Sequence, residues 1–573
     1  MDKYDISKIF EEIGMMMELK GENPFKIRAY YNGARTVELL EEDLKVLVEE
    51  NRLNTVKGIG RALEEKIIEL VKTGKLEFYE KLKAETPEGL MEMMRIPGVG
   101  PKKIRELYQK LEITSIGELE YACIENRLVD LKGFGEKTQG KIFDGIQQLK
   151  KYQGQFLIST GLKYGGYVLN QLKELPEIID ISLAGSIRRR KEIIKDIDII
   201  ASCPMDSRGK VMDFFTSIEG VEKIIAKGET KSSIGLNIGV NIDLRLVEED
   251  EYPYALQHFT GSKEHNTMLR HRAKKLGLKV NEYGVFRGED RLPASTEEEI
   301  YNLLELEYIP PELREGQGEI EAAEHKQLPR LIDVGDLKGV LHVHSHYSDG
   351  KNSIEELVSA AIDKGFKYIG ISDHSISAFY AGGLKEENII KQHEEIEELR
   401  IKYPKIKILK GIESDILVDG SLDYDDEVLA SFDYVIGSIH SHFNLDEETM
   451  TKRILKAIEN RYLSILGHVT GRLLLSRKGY QLDIEKIIEA CGKNQVAIEI
   501  NSNPHRLDLD WRLCRFAREK GVKLVIEPDA HSIEGIDDIY YGVGIGRKGW
   551  LEEKDVINTM EPEEIIKYFS LKR

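Results

Sequence analysis

Three carboxylates in the first half of this chain are spaced for metal chemistry. Asp196 and Asp198 lie in Lys195-Asp196-Ile197-Asp198-Ile199-Ile200, and Asp243 lies in Val240-Asn241-Ile242-Asp243-Leu244-Arg245-Leu246. Residues two apart on a strand share a face, so 196 and 198 point the same way while the isoleucines between them face a core. An inward acid on a neighbouring strand completes a set able to hold two metal ions, which activate an attacking hydroxyl and stabilise the leaving oxygen at phosphorus. Just upstream, Ala184-Gly185-Ser186-Ile187-Arg188-Arg189-Arg190 offers backbone N–H groups and guanidinium forks, the donors a triphosphate needs. An Asp-x-Asp alone reads as a solvated strand end; the second acidic strand and the Gly-Ser-Arg turn change that.

A second set lies far downstream. Ten of the 14 histidines fall after residue 341. They join carboxylates in His342-Val343-His344 with Asp349, Asp373-His374, Glu413, His440-Ser441-His442, His468, Asn501 and Asp529-Ala530-His531. His-x-His places two imidazoles on one strand face, and mixed imidazole and carboxylate ligands suit Zn²⁺ or Mn²⁺ better than Mg²⁺ or Ca²⁺. A single buried histidine is more often structural, but agreement at five or six strand ends is not an accident of composition.

The elements that position these groups can be read from periodicity. Seven short apolar stretches, near 339–343, 367–372, 406–411, 434–439, 464–467, 496–500 and 523–527, alternate with helical patterns such as Ser353–Lys364 and Asp483–Asn494. That alternation predicts a parallel sheet closed into a barrel, with its site at the C-terminal strand ends. Residues 5–85 read as short amphipathic helices. Three copies of an apolar-Gly-apolar-Gly turn precede lysine-bearing helices: Gly58 and Gly60, Gly98 and Gly100, Gly133 and Gly135. Such turns bring backbone N–H groups close to a phosphate.

The totals set bounds. A length of 573 residues points to roughly three to five domains. No apolar run approaches the roughly 20 residues of a membrane span, and Met1-Asp2-Lys3-Tyr4-Asp5 lacks the regions of a signal peptide. Cys123, Cys203, Cys491 and Cys514 have no CxxC spacing, so neither a disulfide framework nor a zinc finger is expected, and a cytoplasmic location is. The net charge of −19 does not exclude nucleic acid: residues 1–300 carry 47 Lys+Arg against 51 Asp+Glu, whereas residues 301–573 carry 35 against 50. Binding needs a local basic stripe, not a basic total.

The glycine turns resemble the helix-hairpin-helix, and the acidic strands resemble a nucleotidyltransferase palm. Together with Asn23-Pro24-Phe25-Lys26-Ile27-Arg28-Ala29-Tyr30, they make the chain similar to family X DNA polymerases from residue 23 to about 310. The resemblance implies Asp196, Asp198 and Asp243 as catalytic ligands of two Mg²⁺ (or Mn²⁺), with Asp243 also assisting deprotonation of the primer hydroxyl. It implies nucleotide contacts from Gly185, Ser186 and Arg189. From His258-Phe259-Thr260-Gly261-Ser262 it draws Phe259 against the sugar and Gly261 beside it, with Asn266 and Arg270 reaching the nascent pair and the template. The six turn glycines and Arg270 become DNA contacts. Lys66 matches the family's Schiff-base lysine; Ala62 stands where lyase-active relatives carry a second lysine, so a surface lysine on a DNA-facing helix is the alternative.

His342-Val343-His344-Ser345-His346-Tyr347-Ser348-Asp349-Gly350 and Gly411-Ile412-Glu413 resemble the polymerase and histidinol phosphatase (PHP) domain. The implied ligands of up to three Mn²⁺ or Zn²⁺ are His342, His344, Asp349, His374, Glu413, His440, His468, Asp529 and His531. His346 and His442 are extra, and Arg472 is a candidate phosphate contact.

The expected fold is multidomain: helical N-terminal helix-hairpin-helix domains, an α+β nucleotidyltransferase palm and thumb, and a C-terminal distorted (β/α)7 barrel. The expected limits are 1–85, 86–150, 151–250 (palm), 251–312 (thumb), 313–337 (a polar connector) and 338–573 (PHP). The expected function is gap filling on gapped or nicked double-stranded DNA with dNTPs, by a monomer, coupled to metal-dependent 3′-5′ exonuclease activity, with abasic-site or 3′-phosphate processing as extensions. Two rivals are a template-independent nucleotidyltransferase with a PHP pyrophosphatase, and a non-catalytic DNA-end scaffold. The three turns with Asn266 and Arg270 oppose the first; the full sets of acids and histidines oppose the second.

Overall fold

Strand alternation builds the sheet that carries the acids. In a computed structural model, which describes residues 1, 3–40, 42–129, 131–150 and 154–572, the strand Asp196–Ser202 buries Ile197 and Ile199 completely and leaves Asp196 exposed. Asn241–Val247 alternates in the same way around Ile242, Leu244 and Leu246. The sheet has the order Asp180–Leu183, Asp196–Ser202, Asn241–Val247, Lys231–Leu236, Val221–Lys227. Its two acidic strands run parallel, and the other pairs are antiparallel. Helices Ile158–Lys173 and Arg208–Ser217 supply Val168, Leu172, Val211, Met212 and Phe215 to the apolar core. Residues 151–153, where the palm was expected to begin, lie outside the described residues.

Helices Tyr252–Thr260 and Lys263–Lys275, a three-stranded antiparallel sheet (residues 279–292) and helix Glu297–Leu303 follow. They share a core of Tyr254, Leu269, Val285 and Tyr301 that Trp550 joins from the far end of the chain. The stretch 313–337, expected as a polar connector, is exposed at 324–327 but packed around Arg314 and Glu319. Arg314 is completely buried and pairs with Glu297 at 2.7 Å, and buried Glu319 pairs with His265 at 2.8 Å. Arg314 and Glu319 look solvent-loving in sequence because their partners lie elsewhere in the chain.

The last part is a seven-stranded parallel sheet in sequential order from Gly339–Val340 to Leu524–Glu527. A parallel bridge between Val343 and Ala530 joins its first and last strands into a barrel. Leu341, Tyr368, Leu409, Tyr434, Ile465, Ala497 and Val525 fill the interior, and Ile565 and Phe569 of the C-terminal helix Pro562–Ser570 pack against them. Apolar filling at one end leaves the other end for polar chemistry.

These elements form one compact unit, Lys151–Arg573; Met1–Lys150 forms the other. Among its described residues the N-terminal unit has helices and no strand, with one core around Phe10, Ile13, Ala34, Leu63 and Ile67 and another around Met93, Ile104, Leu107, Phe134 and Ile142. Among the described residues, no helix is long and apolar enough to cross a membrane. The four cysteines are buried thiols.

Candidate active sites

Asp198 and Asp243 are register partners on the two parallel strands, and Asp196 lies two residues from Asp198 on the same face. Burial, then the neighbouring charges of Asp196 and Asp243, lift the Asp198 carboxyl to about 6. Three acids at such spacing repel one another and favour a cation between them. Lys231 answers part of that charge, its Nζ 2.5 Å from Asp243 Oδ2. Gly185 passes tightly beside this cluster: at φ +59° a Cβ there would stand 2.2 Å from Asp198 Oδ2. It opens the short helix Gly185–Arg188, and half-buried Ser186 follows.

The consecutive arginines have separate destinations. Arg188 binds Glu297, with Nη1 at 3.0 Å from Oε1 and Nη2 at 2.5 Å from Oε2. Arg189, expected as an open triphosphate contact, is buried: Nε donates to Glu315 Oε1 at 3.2 Å and Nη1 to the Thr260 carbonyl. Both acceptors come from segments more than 70 residues away. The ring of Phe259 carries the Arg245 guanidinium at 4.3 Å. Gly261, at φ +70°, lets Arg189 approach, with Nη1 3.1 Å from where a Cβ would stand. Asn266, expected at the nascent pair, instead fastens its own loop: Nδ2 donates to the His258 carbonyl at 2.7 Å and Oδ1 accepts from Gln257 at 3.1 Å. Arg270 is exposed on the same helix.

At the barrel mouth all nine expected ligands converge. Three groups bring ligand atoms within 4.8 Å of one another: His344, Asp349, His374 and His531; His342, His344 and Asp529; His374, Glu413 and His440. His468 lies outside these groups, with Nε2 3.0 Å from Glu413 Oε1. His342 Nε2 is 3.5 Å from Glu413 Oε2 and 3.4 Å from Asp529 Oδ1. Such separations match two ligands about 2.1 Å from one shared ion.

The donor set fits divalent ions on a further count. His342 Nε2, His344 Nδ1, Asp349 Oδ2, both ring nitrogens of His374 and Glu413 Oε2 are buried without a well-aligned hydrogen bond. His374 Nδ1 nevertheless lies 2.9 Å from Glu413 Oε2. Close but misaligned, the two are arranged as ligands of a common ion rather than as a hydrogen-bonded pair. Burial, then the charges of His531 and His374, bring His344 down to about 3, whereas neighbouring carboxylates outweigh burial and raise His342, His374 and His440, so metal binding there must displace protons.

Outer partners orient the rings. Glu499 accepts from His342 Nδ1 at 2.5 Å, and Asp415 accepts from His440 Nδ1 at 2.6 Å. Burial overcomes its three backbone and side-chain hydrogen bonds and lifts Glu527 to about 8; it receives the N–H groups of Leu341 and His342. Sequence reading missed Glu499, Asp415 and Arg506, whose Nε lies 3.8 Å from Asp529 Oδ2. Asp415 ends the strand Lys407–Asp415, whereas Glu499 lies inside Ala497–Asn501 and Arg506 in the loop beyond it, so a strand-end signal marked Asp415 alone of the three. Arg472, expected to meet a phosphate, is committed to Asp510 at 2.7 Å and to the Arg506 carbonyl at 3.0 Å. His346 and His442 are exposed.

The chain is 40% identical to the DNA polymerase/3′-5′ exonuclease PolX of Bacillus subtilis over 569 residues, covering 99% of each protein. It belongs to the family X DNA polymerases with a PHP domain. Within it, residues 255–315 match the DNA polymerase beta thumb and residues 341–503 the PHP domain. The chain is also similar to a probable phosphatase of Thermoanaerobacter sp., 29% identical over 39% of this chain and 91% of that protein. A probable phosphatase of Caldanaerobacter subterraneus is 27% identical over 41% of this chain and 93% of its own length.

In this family X chain, residues 1–76 match a helix-hairpin-helix domain and residues 90–148 a SAM-like helix-hairpin-helix tandem. Gly58, Gly98 and Gly133 have φ values of +105°, +81° and +90°, a region that favours glycine. Gly60 and Gly100 cap helices Arg61–Thr73 and Pro101–Leu111, and Gly135 begins the helix Gly135–Lys150. Added Cβ atoms at Gly60, Gly98, Gly100, Gly133 and Gly135 would meet nothing within 4 Å. Backbone at these five positions is open, as a phosphate contact requires, whereas a Cβ at Gly58 would stand 2.8 Å from Thr36 Oγ1. The Lys66 ammonium lies 5.2 Å from the centroid of the Phe78 ring. Phe78, Ala62, Lys26 and Tyr30 line a cleft of about 540 Å³.

Proposed function

We infer that this chain is a DNA polymerase and 3′-5′ exonuclease that fills gaps in DNA and trims the primer end. The observation that carries the reading is the pairing, in one chain, of an acidic triad on adjacent strands with a separate pocket of eight grouped histidines and carboxylates, His468 beside them. Divalent metal dependence follows from both donor sets. Two Mg²⁺ (or Mn²⁺) are assigned to Asp196, Asp198 and Asp243, and up to three Mn²⁺ or Zn²⁺ to His342, His344, Asp349, His374, Glu413, His440, His468, Asp529 and His531. When bound, such ions polarise the attacking oxygen and hold the departing one.

The chain's own residues do the rest. The Gly185–Ser186 turn and the Arg189 guanidinium bind the dNTP phosphates, and Phe259 packs on the sugar. Asp243, whose side chain is 24% exposed, takes the proton of the primer 3′-hydroxyl. In the barrel, Glu499 and Asp415 fix the rings of His342 and His440 so that their outer nitrogens face the carboxylates with which they would hold the ions. The helix-hairpin-helix turns and Arg270 hold gapped or nicked duplex by its backbone, independently of sequence. Lys66, with an aromatic rather than a cationic neighbour, is assigned to DNA contact in place of sugar-phosphate excision. The palm, thumb and PHP limits of 151–250, 251–312 and 338–573, a monomeric state and a cytoplasmic location complete the proposal.

Separation of function tests it. Asp198→Ala should abolish nucleotide addition to a gapped duplex while sparing degradation of a single-stranded oligonucleotide, and His344→Ala should do the reverse. Loss of both activities in either folded variant would defeat the two-site assignment.

A further inference from the structure

The turn that carries Gly185, Ser186 and Arg189 is braced by the barrel. Lys548 ends the barrel helix Ile539–Lys548 and is buried at 1% exposure. Its ammonium donates to the Arg189 carbonyl at 3.0 Å and to Glu315 Oε1 at 2.7 Å. That same oxygen accepts from Arg189 Nε at 3.2 Å. Nearer the start of the helix, the Tyr540 ring lies 4.1 Å from the Arg190 guanidinium, and Gly544 leaves Arg190 Cβ 3.5 Å from where its own Cβ would stand. Arg190 has φ +57°, a conformation that a non-glycine residue keeps only where its surroundings hold it.

A lysine is almost never fully buried unless paired. This one is paired outside its own domain, with the main chain of the turn and with the carboxylate that holds the arginine of the turn. Sharing Glu315 between two cations leaves Arg189 less than fully neutralised, and the bond to its carbonyl fixes where the turn's N–H groups point.

We propose that Lys548 is a positioning residue for nucleotide binding, through which the exonuclease barrel sets the geometry of the polymerase's triphosphate-binding turn. The inference rests on the reading of residues 185–189 as that turn. Lys548→Met in the full chain should raise the KM for dNTP about tenfold in gap filling, with kcat changed less than threefold. Exonuclease activity on a single-stranded oligonucleotide should stay within twofold of wild type. Tyr540→Ala, at an exposed position that folding tolerates, should raise the same KM about threefold.

Ser186→Ala is the control for the underlying reading. If it leaves the KM unmoved, the assignment of the turn fails. If it raises the KM while Lys548→Met and Tyr540→Ala both stay within twofold of wild type, the positioning role alone is wrong. A parallel fall of both activities in Lys548→Met and Tyr540→Ala at unchanged KM would equally overturn it, since a merely structural contact predicts that pattern.

Discussion

Glu499 accepts a hydrogen bond from Nδ1 of His342 at 2.5 Å, and its other carboxylate oxygen accepts the backbone N–H of His468 at 2.5 Å. One buried carboxylate thereby orients two strand ends. With Nδ1 engaged, His342 presents Nε2 toward Glu413 and Asp529. Partners of this kind fix the tautomer and raise the basicity of a ligand.

Glu499→Ala should weaken metal binding to the barrel by roughly 10–100-fold, the usual effect of removing a ligand's hydrogen-bond partner. Exonuclease activity at limiting Mn²⁺ should fall in proportion while nucleotide addition is unchanged. Titration of the apo-protein with Mn²⁺ checks this; an unaltered affinity would remove Glu499 from the site.

Gly185→Ala should reduce nucleotide addition by about two orders of magnitude, because displacing a catalytic group by about 1 Å costs that much. The new Cβ must clear Asp198 Oδ2, which would stand only 2.2 Å away, and φ is +59°. Exonuclease activity should be untouched. Single-nucleotide insertion kinetics at saturating dNTP decide the matter, and a rate near wild type would show that the turn and Asp198 move independently.

The Glu297 bridge predicts a pH dependence of stability. Burial alone would raise this carboxyl, but Arg314 and Arg188 outweigh it and bring it to about 2, from 4.5. A folded pKa below the unfolded one means stability that is complete above about pH 4.5 and is lost as the pH falls toward 2, worth roughly 3 kcal/mol at most. Urea unfolding of wild type and Glu297→Gln should therefore differ by a constant amount from pH 8 to pH 5. The gap should narrow below about pH 4.5. A gap that widens on acidification would contradict the bridge.

Gly98→Ala should weaken binding to gapped duplex several-fold. The substitution meets no neighbour within 4 Å, so its cost is the left-handed φ of +81°, about 1–2 kcal/mol of local strain that displaces the turn. The loss should be equal for two duplexes of unrelated sequence, since backbone contacts carry no sequence information. Fluorescence anisotropy at fixed salt measures it, and a sequence-dependent loss would point to base contacts instead.

Period-two alternation around Ile197, Ile199, Ile242 and Leu244 made the acidic strands legible in the sequence, and strand-end histidines marked the barrel pocket. Both signals are local: a strand's faces are decided within a few residues, and a parallel barrel delivers every strand's C-terminal end to one mouth. The destinations of Arg188, Arg189 and Arg190 had no such signal. Their partners are Glu297, Glu315 and Tyr540, and the lysine that closes the cluster stands 359 residues from Arg189. Arg314 and Glu319 read as a solvated connector for the same reason. The sequence alone marked the acids and histidines whose types and spacing suit metal ligands. Only the tertiary structure decided which charges neutralise one another, because ion pairing depends on proximity in space and long-range folding sets that proximity.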